Sequence, residues 1–255
     1  MIYLTGDCHG DFLKIGVGIF PEQKGLTKDD YMIICGDFGG VWARETSKFR
    51  EQEEGWLDWL ERRPYTVLFV DGNHENFDRL YKYPVKEWKG GKVHEIRPTV
   101  FHLMRGEIFE ICGKKIFTFG GASSHDVQDG ILHMDEEGEW RKKARDFDLT
   151  NKRYRIEGLS WWKEELPSEE EMKNGWDNLA KHENKVDYII SHTPPASIID
   201  SIGKGLYEQD YLTHYLEDIK SEIEYKLWFF GHMHINTNIK EHKSIGIYEQ
   251  IIRIA

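Results

Sequence analysis

Several short blocks of this chain carry side chains that bind metals or move protons. Asp7 and His9 stand in Gly6-Asp7-Cys8-His9-Gly10, and Asp37 follows Gly36. Asn73 and His74 lie in Asp71-Gly72-Asn73-His74-Glu75, His192 precedes Thr193-Pro194-Pro195, and His232 and His234 flank Met233 after Gly231. Carboxylate, amide and imidazole donors without thiolate suit Mn, Fe, Zn, Co or Ni better than Ca or a structural zinc knot. Even with His74 set aside, the donors are too many for one ion and suit two divalent transition-metal ions sharing a carboxylate. Two such ions, about 3.5–4 Å apart, polarise a phosphoryl group and hold a hydroxide for in-line attack. Any one block is an ordinary turn or cap, where Asp, Asn and His are common. Their order along the chain is what carries the chemistry.

That order depends on the elements beneath it. Apolar runs at 2–5, 31–35, 66–70, 115–119, 187–191 and 226–230 predict strands, and most are continuous, as expected where both faces of a sheet are covered. A further run, 245–254, predicts one more strand. Helical spacing appears at 46–62 and 209–224, and Ser168 with Glu171 fits a capping box opening a helix over 168–182. Strands alternating with helices predict an α/β fold. Each ligand block follows a strand, so the blocks meet where open α/β sheets bind ligands, outside the carboxyl ends of their strands.

The interval 120–185 is far longer than the dozen or more residues that a crossover needs. It is expected to be an insertion or cap over the active edge of a single domain spanning 1–255. Within it lie an acidic patch (Asp135, Glu136, Glu137, Glu139), a basic run (Arg141, Lys142, Lys143, Arg145) and the pair Trp161-Trp162, expected to anchor it.

The ordered set D-x-H, G-D, G-N-H-E, H and G-H-x-H resembles the calcineurin-like metallophosphoesterase superfamily. The resemblance implies a four-layer α/β/β/α sandwich, and it assigns roles. Asp7, His9 and His234 would hold one metal, Asn73, His192 and His232 the other, and Asp37 would bridge. His74 would stabilise the transition state or protonate the leaving oxygen, a task suited to imidazole. Gly120-Gly121-Ala122 and Gly158-Leu159-Ser160-Trp161-Trp162 are similar to a bacterial and prophage subgroup of unassigned substrate. The second block, Gly36-Asp37-Phe38-Gly39-Gly40-Val41, departs from the G-D-x-V-D-R-G of serine/threonine protein phosphatases. The expected activity is therefore that of a metal-dependent phosphoesterase acting on a small phosphate mono- or diester. The alternatives are a metal-dependent nuclease and a non-catalytic metal-loaded scaffold; the scaffold usually lacks the His that is His74 here.

Arg44, His125, Asp126 and Arg155, with Arg153, are candidate substrate contacts, weighed against ordinary surface roles. Composition narrows the rest. The formal charge is −11, from 45 acids against 34 bases, which disfavours a long nucleic-acid partner. Two divalent ions against Asp7 and Asp37 would still leave a cationic mouth. Cys8, Cys35 and Cys112 are odd in number and form no C-x-x-C, so a reducing, cytoplasmic compartment is expected and buried structural roles are expected for Cys8 and Cys35. No apolar run approaches the roughly 18 residues of a membrane span, and the start of the sequence lacks signal-peptide character.

Overall fold

The apolar runs become strands because their residues alternate between two buried faces. A computed structural model describes residues 1–203 and 207–255. The first half of the chain supplies β1 (Ile2–Thr5), β2 (Tyr31–Cys35), β3 (Thr66–Val70), β4 (Val85–Trp88), β5 (Gly91–Arg97) and β6 (Val100–Leu103). β1, β2, β3 and β6 are parallel, and the β5–β4 hairpin closes one side antiparallel. The second half supplies β7 (Glu107–Ile111), β8 (Lys114–Phe119), β9 (Ile131–Leu132), β10 (Arg155–Ile156), β11 (Tyr188–Ser191), β12 (Leu227–Phe230), β13 (Thr237–Ile239), β14 (Ser244–Gly246) and β15 (Ile252–Arg253). The second sheet runs β13-β14-β12-β11-β8-β7, while β9 and β10 pair with each other and β15 joins β1 in the first sheet. The helices are α1 (Arg50–Glu61), α2 (Phe77–Leu80), α3 (Glu139–Leu149), α4 (Glu169–Lys181), α5 (Ala196–Gly203) and α6 (Tyr211–Glu222).

Leu4, Ile33 and Leu68 of the first sheet pack against Phe109, Ile116, Ile190 and Phe229 of the second. Their neighbours Met32, Ile34, Val67 and Phe69 turn the other way, onto Leu57 and Leu60 of α1. Phe117, Ile189, Trp228 and Phe230 of the second sheet pack outward on Leu179 of α4, Ile198 of α5 and Leu212 and Leu216 of α6. The result is the expected α/β/β/α order of four layers. Each fully buried Leu, Ile, Val or Phe contributes about 1.5–3 kcal/mol of transfer free energy, so both faces of both sheets are held. No helix among the described residues is long and apolar enough to cross a membrane.

The strands of each sheet end at one level. Thr5 pairs with Ile34 and Cys35 with Val70, while Ser191 lies between Phe119 and Phe230. The loops that follow therefore leave both sheets side by side.

Two departures from the sequence reading matter. The run 245–254 is not one strand but splits into β14 and β15, which lie in different sheets. Between them Ile247 is buried among both sheets, donating to the Phe230 carbonyl at 2.9 Å, while Tyr248 accepts from Gly6 N–H at 3.1 Å. The apolar residues here cross between sheets, which burial alone cannot distinguish from a strand. The interval 120–185 is also heterogeneous. Leu179 of α4 belongs to the outer core, with the expected Ser168–Glu171 capping box formed. The stretch before it holds α3 and the small β9–β10 pair. Trp162 is buried, donating from Nε1 to Asp78 Oδ2 at 2.9 Å.

Candidate metal centre

Every candidate ligand sits in the first residues after a parallel strand: Asp7 and His9 after β1, Asp37 after β2, Asn73 after β3, His192 after β11, and His232 and His234 after β12. The backbone there is unusual. His9, Asp37, His232 and His234 have φ of 48°, 42°, 59° and 49°. A non-glycine residue in this left-handed region costs on the order of 1–3 kcal/mol, and such residues cluster at functional sites. Glycines permit the close approach. A Cβ on Gly36, itself at φ +97°, would lie 2.0 Å from His192 Nδ1, and one on Gly72 would lie 2.0 Å from Asp37 Oδ1.

The side chains converge. Asp7 Oδ2 lies 3.0 Å from His234 Nε2 and 3.9 Å from His9 Nε2, and His9 Nδ1 lies 3.7 Å from Asp37 Oδ2. His192 Nε2 lies 3.4 Å from both Asp37 Oδ1 and Asn73 Oδ1. Three overlapping sets have ligand atoms within 4.8 Å of one another: Asp7, His9 and His234; Asp7, Asp37 and His192; and His9, Asp37 and His74. The last set brings His74, set aside as a ligand in the sequence reading, within ligand distance of two candidates. His232 packs on His192 with ring centroids 4.9 Å apart, and its backbone N–H donates to Asp7 Oδ1 at 3.0 Å.

The donor set fits a cation. His192 Nδ1 lies 2.9 Å from the Cys35 carbonyl, which can only accept, so Nδ1 carries a proton and Nε2 is the nitrogen whose lone pair can bind a cation. That lone pair faces the Asn73 amide oxygen, and His9 Nε2 faces His234 Nε2 at 3.2 Å. Burial lowers the pKa of His9, and burial with neighbouring His192 and His125 lowers that of His232 well below the ordinary value. Burial works against the charge of Asp7, but the hydrogen bond from His234 and the nearness of His192 and His232 hold its carboxyl below the usual range. Cys8 and Cys35 are buried, and burial pushes the Cys8 thiol up to about 12. They are thiols in the core rather than thiolates at the site.

A cavity of about 400 Å³ opens over this cluster, lined by His9, Asp37, Asn73, His74, His232 and His234 with His125, Asp126, Arg155, Tyr207 and Met233. Arg155 of β10 donates from Nε to Asp126 at 2.7 Å and from Nη1 to the Ser160 carbonyl at 2.9 Å, and its Nη2 lies 3.4 Å from His74 Nε2. His125 Nε2 lies 2.9 Å from His232 Nε2. Three of the five candidate substrate contacts, His125, Asp126 and Arg155, thus line the cavity. Arg44 is exposed and does not line it; Arg153 is exposed as well.

Other residues at the site carried no signal in the sequence reading. Tyr248 stacks on His234, ring centroids 4.3 Å apart and 13° from parallel, while Lys14 donates to the carbonyls of Gly6, Asp7 and Tyr248. Trp42 lies 5.8 Å from the His74 ring. Ser124 and Glu165 lie behind Asn73.

The calcineurin-like phosphoesterase family matches residues 1–236, stopping just before β13. Lariat debranching enzyme A of Xenopus laevis is 23% identical over 257 residues, covering 92% of this chain and 42% of that protein. The Schizosaccharomyces pombe lariat debranching enzyme is 21% identical over 258 residues, 94% of this chain and 50% of that protein. The human lariat debranching enzyme is 26% identical over 141 residues, 51% of this chain and 24% of that protein. The chain spans half or less of the length of these relatives. Because the family match covers residues 1–236 of the 255, this chain belongs to the calcineurin-like phosphoesterase family.

Proposed function

We propose that this chain is a divalent-metal-dependent phosphoesterase whose substrate is a phosphate diester. One metal would be held by Asp7, His9 and His234 and the other by Asn73, His192 and His232, with Asp37 shared. The observation that carries the reading is the convergence of these donors from strand ends of two sheets, with His192 Nε2 facing the Asn73 oxygen. Mn, Fe, Zn, Co and Ni all suit the donor chemistry.

Two ions in this set would polarise the phosphoryl oxygens and make water a nucleophile near neutral pH. The chain's own residues bind and orient. Arg155, held by Asp126, offers Nη2 to a phosphoryl oxygen, a better acceptor than His74 because the bond becomes charge-assisted. His74 Nε2, released from Arg155, then faces the leaving oxygen and, once it has taken a proton from solvent, can pass that proton on. Tyr207 and Met233 give the leaving group an apolar wall. A single guanidinium among the cavity-lining residues, already shared with Asp126, suits the one charge of a diester better than a monoester dianion. The lariat-debranching names of the relatives support the same choice and favour, as a second reading, a metal-dependent nuclease; the charge of −11 weighs against that reading. Intact His74 weighs against a non-catalytic scaffold. Residues 1–255 would act as one domain, with 120–185 contributing Arg155 and His125 to the active edge. The free thiols of Cys8, Cys35 and Cys112 support a reducing, cytoplasmic setting.

The test is a panel of chromogenic mono- and diesters, single-stranded RNA and DNA, assayed with each of the five metals. Diester turnover that is insensitive to salt is expected. Nucleic-acid cleavage falling steeply with salt supports the nuclease, and no turnover of any substrate overturns the enzyme reading.

A further inference from the structure

Behind the Asn73 amide lies a buried polar chain that the hydrolytic chemistry does not use. Asn73 Nδ2 donates to Ser124 Oγ at 3.3 Å, and Ser124 Oγ donates to Glu165 Oε2 at 2.7 Å. Asn73, Ser124 and Glu165 are 4%, 7% and 1% exposed, and Glu165 Oε1 has no hydrogen-bond partner. The three come from separate places: the loop after β3, the loop after β8, and the segment leading into α4. Glu165 is pinned at its backbone, where its carbonyl accepts from Ala122 N–H at 3.1 Å. A glutamate does not enter an apolar interior for its own stability, so its position needs a reason.

Proton accounting supplies one. A serine hydroxyl has one proton and two lone pairs, whereas an amide can present either its oxygen or its NH2. With the Ser124 proton given to Glu165 Oε2, Ser124 can only accept, so Asn73 must turn Nδ2 toward it. The amide oxygen is then left facing His192 Nε2 and the cavity. Were the chain broken at Glu165, Ser124 could donate to Asn73 Oδ1, and the amide would present an NH2 to any cation. We propose that Glu165, acting through Ser124, is a positioning residue that holds the Asn73 oxygen toward the metal. The proposal rests on the phosphoesterase reading for the use of that oxygen. Oε2 accepts whether the carboxyl is ionised or carries its proton on the unpartnered Oε1, so a glutamine with its amide oxygen at that place can replace it.

Partners of this kind change metal affinity by about 10–100-fold when removed. Two measurements on the full chain test the role. In metal-free, nitrogen-15-labelled protein, the Asn73 side-chain NH2 signal, identified by its loss in Asn73→Asp, is followed during exchange into D2O. Calorimetric titration with Mn2+ then gives the affinity of each binding step. Slow exchange of one Asn73 proton is expected in the parent and in Glu165→Gln, with at least tenfold faster exchange in Ser124→Ala and Glu165→Leu. In the last two, one Mn2+ step weakens at least tenfold while the other holds, and Glu165→Gln stays near the parent. Unchanged exchange and affinity in Ser124→Ala and Glu165→Leu overturn the proposal, as does a Glu165→Gln that behaves like Glu165→Leu. If the parent binds neither Mn2+ nor Fe2+, Zn2+, Co2+ or Ni2+, the phosphoesterase reading fails, and the Asn73 exchange still decides whether Glu165 orients the amide.

Discussion

His192 Nε2 and Asp37 Oδ1 lie 3.4 Å apart although they follow strands of different sheets, β11 and β2. The backbone ties them further, since His192 Nδ1 donates to the Cys35 carbonyl at the end of β2. The contact puts a proton on Nδ1 and turns Nε2 toward a carboxylate that also receives the His74 backbone N–H at 2.8 Å. The centre is thus a seam between the two sheets, and its geometry depends on their packing.

Asp37→Asn keeps the shape but removes the shared charge. Turnover is expected to fall by more than the roughly 100-fold seen for outer-shell changes, with metal content per chain reduced. Kinetics with a diester substrate and elemental analysis check this; full metal content with normal turnover contradicts a shared role for Asp37.

Gly72→Ala forces a Cβ to within 2.0 Å of Asp37 Oδ1 and 2.4 Å of its backbone nitrogen. Overpacking of this kind costs about 1–3 kcal/mol, or roughly 2–4 °C in Tm for each kcal/mol, and displaces Asp37. Gly18→Ala, with nothing within 4 Å, is the control. Equal melting temperatures and equal metal content for the two variants contradict the packing argument.

Arg155→Ala is expected to lower kcat/KM about 10- to 100-fold, the worth of one charge-assisted hydrogen bond of about 1.5–3 kcal/mol. Metal content stays unchanged and Arg155→Lys recovers part of the loss. Steady-state kinetics unaltered by Arg155→Ala would reduce this side chain to a tie between Asp126 and Ser160.

Burial pushes the Glu165 carboxyl from 4.5 up to about 8. A group whose pKa is raised on folding contributes stability at low pH that is lost as pH climbs through the folded value. In metal-free protein, the parent chain should therefore lose stability relative to Glu165→Gln between about pH 4.5 and 8, by on the order of 3–5 kcal/mol in all. Urea unfolding of both proteins at pH 5 and pH 9 measures it. Parallel pH profiles contradict the burial argument.

The candidate metal donors were legible because each directly follows a short apolar run, and a sheet buried on both faces writes such runs plainly. Their unusual φ values were not legible: Asp and His are enriched in left-handed backbone, but most residues of these types still adopt ordinary φ. Ser124 and Glu165 could not be paired from the sequence: they are 41 residues apart and only the packing of three loops brings them together. The edge strand β4, Val85-Lys86-Glu87-Trp88, escaped notice because most of its residues face solvent. Of the arginines considered, Arg155 reaches the cavity and Arg44 does not, a difference set by the β9–β10 pair, which has no periodic signature.

The most direct test is metal stoichiometry joined to turnover. Protein loaded with Mn2+ and freed of excess is analysed for bound metal, then assayed on a phosphate diester before and after chelation. The expected result is close to two ions per chain, with turnover lost on chelation and restored by Mn2+. No bound metal, or turnover undiminished by a chelator, contradicts the account.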